Sequence, residues 1–203
     1  MKTLIPDADT LKYYENVYEE YARFSSSIDM KEQWSAFASK LPYGSKILDL
    51  GCGTGRDIKH FLDLGFKVDG LEPSVAMATY TRLRTGVEVF DLAAEQIEFE
   101  EEYDGIWACA SLMHMRKSAF AETLPKVVMA LKFGGYFYFS LKRGAGEIRN
   151  EDGRLFSFYE MEEVVTFLSR IGHIQVVERW TSKDMAGRSE TQWINVLIRR
   201  LEK

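Results

Sequence analysis

Three glycines at alternate positions are the residues of this chain best suited to ligand chemistry. Gly51, Gly53 and Gly55 directly follow an apolar, strand-like run at residues 46–50. Glycine permits a sharp turn and a close approach of the backbone to a ligand, and a helix that begins beyond such a turn presents unpaired N–H groups. A strand, a glycine-rich turn and a helix in this order are typical of a nucleotide-binding site.

The spacing of these glycines separates the possible ligands. A dinucleotide fingerprint reads G-x-G-x-x-G, whereas this chain reads G-x-G-x-G, with Arg56 where the last glycine of the fingerprint belongs. No Gly-Lys-Ser/Thr sequence follows, which excludes a phosphate-binding P-loop. The turn therefore predicts a nucleotide site of neither the dinucleotide nor the P-loop kind.

Two carboxylates stand where they could hold a nucleoside. Glu72 ends the second predicted strand, about 20 positions beyond the glycines, where a carboxylate can accept from both hydroxyls of a ribose. Asp91 ends the third predicted strand and could accept from an adenine amino group, while the Leu92 N–H could donate to a ring nitrogen. The alternatives are a helix cap or surface carboxylate at Glu72 and an ordinary turn residue at Asp91.

Strands that alternate with helices must position these residues, which predicts a parallel sheet covered on both faces. A closing strand–loop–strand without a helix predicts an antiparallel hairpin at one edge. Asp29 is the expected N-cap of the second helix. The predicted helices are 10–24, 30–41, 57–64, 74–83, 117–131 with an interruption near Pro125, and 159–171; the predicted strands are 46–50, 66–71, 87–90, 103–109, 136–141, 174–180 and 191–199.

The segment Asp-Leu-Gly-Cys-Gly-Thr-Gly at residues 49–55 resembles the first motif of class I S-adenosylmethionine-dependent methyltransferases. With the downstream segments, the resemblance covers nearly the whole chain. It implies a Rossmann-like, doubly wound, three-layer α/β fold with seven strands, and S-adenosylmethionine as the cofactor, with S-adenosylhomocysteine as its product. In that family the loop wraps the methionine part of the cofactor. The cofactor-binding residues expected on this basis are Asp49, Gly51, Cys52, Gly53, Gly55, Asp57, Glu72, Pro73, Met77, Asp91, Leu92, Ala110, Tyr14 and Tyr21.

Several of these residues carry particular expectations. Asp49 or Asp57 is expected to make a polar contact near the amino acid end of the cofactor. Met77 is expected to pack on the adenine or in the core. Tyr14 and Tyr21 lie on one face of the first helix, which in related enzymes folds over the cofactor as a lid; an ordinary docking helix is the alternative. We accordingly expect residues 1–44 to form a helical lid and residues 45–203 the methyltransferase domain.

His114 is the leading catalytic residue. Methyl transfer is an in-line displacement on an activated donor, so the protein mainly aligns the nucleophile, excludes water and, for a weak nucleophile, removes a proton. An unperturbed histidine titrates near neutrality, and His114 follows the fourth predicted strand. The alternative is a histidine that packs on the cofactor or orients the acceptor. No cluster of metal-ligand spacing accompanies it, so no metal is expected.

The acceptor is expected to be a small molecule. Methyltransferases that act on exocyclic amines of DNA bases carry a Pro-Pro segment after the fourth strand, and residues 107–115 contain no proline. The short insertions resemble the branch that includes quinone-biosynthesis and tellurite-resistance methyltransferases. The alternatives are a tRNA wobble-base methyltransferase, or a non-catalytic module that binds S-adenosylmethionine for regulation.

Composition limits the remaining possibilities. The chain has 203 residues, 46% of them hydrophobic, and a net charge of −5, which predicts one domain without broad attraction to nucleic acid or an anionic membrane. Cys52 and Cys109 are expected to be free thiols. With no signal-like start or membrane-length apolar run, a cytoplasmic monomer or homodimer is expected. Paired basic residues such as Lys142 and Arg143 are read as solvated, although Arg143 and Arg149 could contact an anionic substrate.

Overall fold

Five parallel strands form the centre of the structure, a computed structural model that describes residues 6–202. They belong to a seven-stranded sheet of order β3-β2-β1-β4-β5-β9-β8, in which β9 runs antiparallel to both of its neighbours. The strands are β1 (Lys46–Leu50), β2 (Lys67–Leu71), β3 (Val89–Phe90), β4 (Tyr103–Ala108), β5 (Leu131–Lys142), β6 (Glu147–Arg149), β7 (Leu155–Ser157), β8 (Ile174–Lys183) and β9 (Gln192–Arg200). The helices are α1 (Ala8–Ser25), α2 (Lys31–Ala38), α3 (Arg56–Asp63), α4 (Val75–Thr85), α5 (Lys117–Ala130) and α6 (Met161–Leu168).

Helices cover both faces of this sheet because successive strand residues point to opposite sides. On one face, Ile47 of β1 and Trp107 of β4 pack with Phe37 of α2 and Phe61 of α3. On the other face, Leu48 and its neighbours pack with α5 and α6. The structure thus confirms the predicted three-layer α/β fold with a mostly parallel seven-stranded sheet and an antiparallel edge hairpin.

Three local predictions are wrong. The helix at 117–131 is not interrupted: α5 runs through Pro125, and its buried residues Phe120 and Val127 offset the hydrogen bond that proline cannot donate. Asp29 is not the N-cap, because α2 starts one residue later, although its carboxylate accepts from the Lys31 N–H at 3.0 Å. The glycine-rich loop after β5 contains a small antiparallel hairpin of β6 and β7, which no apolar alternation had indicated.

The two N-terminal helices take different positions. α1 supplies Tyr14 and Tyr21 to the wall of the main cavity, as a lid would. α2 instead packs on the sheet through the buried Phe37, whose ring lies 5.4 Å from that of Trp107. The division of the chain near residue 44 remains a prediction. No helix within the described part of the chain is long and apolar enough to span a membrane.

Candidate functional site

The glycine turn lies at the carboxyl end of β1 and leads into α3. Gly51, Gly53 and Gly55 all have positive φ, at 77°, 54° and 81°, a conformation in which a Cβ is strained. The Gly51 N–H donates to the Leu71 carbonyl at 2.7 Å, which ties the turn to the end of β2. These local requirements explain why glycine recurs at every second position.

We expect alanine at the first two glycines to act differently. A Cβ on Gly51 would lie 2.4 Å from the Cβ of Ser111, so Gly51→Ala should lower thermal stability as well as ligand binding. A Cβ on Gly53 would meet nothing closer than 3.7 Å, the distance to Tyr21. Gly53→Ala should therefore reduce the affinity for S-adenosylhomocysteine at least tenfold with the smaller change in melting temperature. Calorimetric titration and thermal melts measure both, and equal stability losses would contradict this assignment.

Glu72 lies beside the turn at the carboxyl end of β2. Its Oε2 accepts from the Gly53 N–H and its Oε1 from the Ser74 N–H, both at 2.9 Å. Burial raises the pKa of this carboxyl from its usual 4.5 to about 7, although the two backbone hydrogen bonds oppose the rise. The carboxyl lines the cavity, where an ionised form can still accept further hydrogen bonds.

This pKa makes a pH-dependent affinity for a ribose diol the expected result. Below pH 7 the protonated carboxyl must release its proton before it can accept from two hydroxyls, so affinity should fall by up to tenfold per pH unit. Above about pH 8 it should be constant. Titration with methylthioadenosine, which lacks the α-amino and carboxyl groups of the cofactor's methionine part, measures the effect between pH 5.5 and 8.5. A 2′,3′-dideoxy analogue serves as the control, and an equal pH slope for that analogue would contradict the role of Glu72.

Neither Asp49 nor Asp57 presents a free carboxylate to the cavity. Asp49 is buried below the turn, does not line the cavity, and its Oδ2 has no hydrogen-bond partner among the described residues. Burial, with the nearby Asp57, raises the pKa of Asp49 well above its usual value. The Asp57 carboxylate already accepts from Trp34, Trp107 and Arg56 at 2.8–2.9 Å. Asp57 therefore neutralises and orients the arginine beside it.

Arg56 is the residue at this end that the sequence reasoning passed over. Its Nε and Nη2 bind Asp57, and Nη2 also lies 3.6 Å from the sulfur of Cys109. The side chain lines the cavity, and its Nη1 is not engaged in these bonds. The sequence does offer one indication of Arg56. It directly follows the third glycine and is the first residue of α3, at the helix end where an anion would bind.

A cavity of about 440 Å³ joins these residues at the carboxyl edge of the sheet, where open α/β sheets bind their ligands. Asp49, Gly55, Asp91 and Leu92 do not line it. Asp91 instead forms an exposed ion pair with Arg82. Ala93, Ala94 and Glu95 reach the cavity from that part of the chain. The predicted residues that do line it are Tyr14, Tyr21, Gly51, Cys52, Gly53, Asp57, Glu72, Pro73, Met77, Ala110 and His114.

His114 is bonded through both ring nitrogens. Its Nδ1 lies 2.8 Å from the Leu155 carbonyl, which can only accept, so Nδ1 carries the proton. Its Nε2 then accepts from the Tyr14 hydroxyl at 2.9 Å. Burial lowers the pKa of His114 to about 4, which keeps the ring neutral. The neutral ring is thus a hydrogen-bond acceptor for the Tyr14 hydroxyl.

Further contacts hold α1 over the cavity. The Thr10 hydroxyl accepts from the Leu155 N–H at 2.8 Å. The Glu15 carboxylate accepts from the first two N–H groups of α4, at 2.6 and 3.1 Å, where a negative charge is stabilised by the helix dipole. Asp7 and Arg149 form an ion pair at 2.7 Å. Arg149 therefore anchors the lid helix and is not placed against a substrate.

The opposite end of the cavity consists mainly of residues that sequence reasoning missed. Lys142, Arg154, Phe156, Arg188 and Trp193 line it. The expectation of a solvated Lys142 is wrong, because it stands at the end of the fifth parallel strand, at the carboxyl edge. No local pattern in the sequence indicates Arg154 and Phe156, because the β6–β7 hairpin that carries Phe156 has no periodic signal.

Comparisons with known proteins agree with this architecture. A family profile described as a methyltransferase domain matches residues 47–135. A sarcosine/dimethylglycine N-methyltransferase from Aphanothece halophytica is 30% identical over 136 residues, which cover 62% of this chain and 46% of that protein. The chain spans about half the length of the curated relatives it matches.

Solved structures share the fold over nearly the whole chain. The 1,6-didemethyltoxoflavin-N1-methyltransferase of Burkholderia thailandensis, solved with 1,6-didemethyltoxoflavin and S-adenosylhomocysteine bound, has a TM-score of 0.80 at 19% identity, and the match covers 96% of this chain and 88% of that chain. The [4+2]-cyclase SpnF has a TM-score of 0.75 at 14% identity, with 98% of each chain covered.

These findings agree with the class of fold that the sequence predicts. A methyltransferase domain matches residues 47–135, and the sheet order is that of solved S-adenosylmethionine-dependent methyltransferases. Because that fold also serves a cyclase, the reaction must be argued from the site itself.

Proposed function

We propose that this chain transfers a methyl group from S-adenosylmethionine to a small-molecule acceptor. One observation carries the proposal: a single cavity joins the glycine turn and Glu72 to the Tyr14–His114 pair. A volume of about 440 Å³ suits small ligands. The cavity therefore offers a nucleoside-binding end and a proton-accepting end within one enclosure.

The cofactor fits the residues of the first end. Glu72 accepts from the ribose hydroxyls, and Met77, Ala93 and Ala94 provide apolar surface for the adenine. Gly53 leaves open the space that a Cβ would fill below the Tyr21 ring. Arg56, whose Nη1 is left free by its bonds to Asp57, would hold the carboxylate of the cofactor in place of the contact expected from Asp57.

Tyr14 and His114 supply the proton transfer. S-adenosylmethionine provides an electrophilic methyl group on a sulfonium, which the acceptor nucleophile attacks in line, with the thioether as leaving group. As the nucleophile gives its proton to the Tyr14 oxygen, the Tyr14 hydroxyl gives its own to the Nε2 of His114. The Leu155 carbonyl stabilises the resulting imidazolium through Nδ1. Solvent removes the proton after the product leaves.

The decisive experiment pairs binding with transfer. Calorimetric titration should show binding of S-adenosylmethionine and S-adenosylhomocysteine, and a screen of small acceptors with labelled donor should then show methyl transfer. The absence of binding would reject the proposal. Binding without transfer to any acceptor would favour a regulatory module or a different reaction on the same fold. Transfer to tRNA with a steep salt dependence would replace the small acceptor by a nucleic acid.

A further inference from the structure

We call the part of the cavity wall around Lys142, Arg154 and Arg188 the acceptor end. It carries an excess of cationic side chains. Lys142 is the last residue of β5, Arg154 immediately precedes β7, and Arg188 lies between β8 and β9. All three line the cavity. The Phe156 ring lies beneath Lys142, with Nζ 3.8 Å from the ring centroid.

Lys142 has no counter-ion within residues 6–202, and its Nζ donates no hydrogen bond there. The two carboxylates that act on it are both engaged elsewhere. Asp152 binds the Arg154 Nη2 at 2.6 Å, and Asp184 binds the Arg188 Nη2 at 2.7 Å. Asp184 also accepts from the indole N–H of Trp193 at 2.8 Å. The two carboxylates thus neutralise Arg154 and Arg188, which leaves the positive charge of Lys142 without a partner in the part of the chain that the structure describes.

The excess charge is partly desolvated. Lys142 is half-buried, and burial together with the two arginines lowers the pKa of its ammonium to about 8. An unpaired ammonium in such a place costs free energy that an anion can recover. The Phe156 ring also packs on the His114 ring, with centroids 4.7 Å apart. A group bound at Lys142 would therefore lie beside the Tyr14–His114 pair.

We propose that Lys142 binds an anionic group of the methyl acceptor, a carboxylate or a phosphate, and so selects small acidic acceptors. This inference rests on the proposed methyl transfer, because it assigns the acceptor of the same cavity. Lys142 makes the direct contact, while Arg154 and Arg188 add to the positive field. The negative net charge of the chain does not oppose it, since the field within a cavity is set by the groups that line it.

Binding of simple anions to the S-adenosylhomocysteine-loaded protein tests this directly. The probes are benzoate, its neutral isostere benzamide, and inorganic phosphate, each titrated calorimetrically. We expect at least one anion to bind at least tenfold more tightly than benzamide. Lys142→Met, which keeps the length and the apolar stem over Phe156, should weaken anion binding at least tenfold. Lys31→Met removes a lysine that is 85% exposed and should change nothing.

The outcomes separate the sources of the anion. Binding of benzoate alone assigns a carboxylate, binding of phosphate alone assigns a phosphate ester, and binding of both admits either. Benzamide that binds as tightly as the anions, or Lys142→Met with unchanged anion affinity, would overturn the inference. An unchanged affinity for S-adenosylhomocysteine shows that the variant is folded. If Lys142→Met does not fold, Lys142→Gln takes its place in the same titrations. If the parent protein itself does not bind S-adenosylhomocysteine, that result instead rejects the proposed function.

Discussion

Glu72→Ala should weaken the binding of S-adenosylhomocysteine by about 100-fold or more. Each hydrogen bond from a ribose hydroxyl to an ionised carboxylate contributes roughly 1.5–3 kcal/mol, and the diol makes two. The variant also leaves the N–H groups of Gly53 and Ser74 without the carboxylate that accepts from them, and this loss can change the shape of the turn. Calorimetric titration at pH 8, where the carboxyl is mostly ionised, measures the loss.

A cycle of two changes separates ribose binding from a distorted turn. The second change is made in the ligand, by comparing methylthioadenosine with its 2′,3′-dideoxy analogue. Removing both hydroxyls should weaken binding to the parent protein strongly and to Glu72→Ala very little. If Glu72→Ala weakens the binding of both analogues by the same factor, Glu72 only supports the turn, and its assignment to the ribose is wrong.

Tyr14→Phe should lower kcat by about 100-fold to 10,000-fold, the contribution typical of a positioned general base. The change removes one hydroxyl and keeps the ring, whose edge contacts with Tyr21 and His114 remain. The affinity for S-adenosylhomocysteine should therefore change by less than about threefold. Steady-state rates with an acceptor from the labelled-donor screen, together with calorimetry, measure the two effects.

Three further variants make this result specific. His114→Ala should lower kcat to a similar extent, and the double variant should be no slower than either single one, because the pair transfers one proton as a unit. Tyr18→Phe is the matched control, since that hydroxyl of the same helix bonds only to the exposed Glu19. An unchanged kcat in Tyr14→Phe, or a loss explained by cofactor affinity, would show that the pair positions α1 and moves no proton.

The class of fold follows from short-range patterns. Alternating strands and helices predict the parallel sheet, and the final two strands without a helix predict the edge hairpin, because periodicity and turn residues act within a few positions. The same applies to the turn itself: the positive φ of Gly51, Gly53 and Gly55 is a local demand that only glycine meets without strain.

Some of the predicted site residues line the cavity and others do not. Glu72 reaches the cavity because its distance from the turn along the chain is that of one strand–helix–strand unit. Asp91 was expected there for the same reason, but the nearby Arg82 of α4 holds its carboxylate at the surface. The choice between the two depended on a side-chain partner that spacing does not reveal.

By itself the sequence determined the parallel centre of the sheet and the glycine turn, since these follow from residues close together in the chain, and the resemblance of residues 49–55 to a methyltransferase motif indicated the cofactor class. Only the tertiary structure decided the chemistry of the acceptor end. Tyr14 and His114 meet across 100 residues, and Lys142 faces Phe156 of a hairpin that carries no periodic signal. Such contacts arise from the packing of distant elements, so the Tyr14–His114 hydrogen bond and the unpaired cation exist only once the chain has folded.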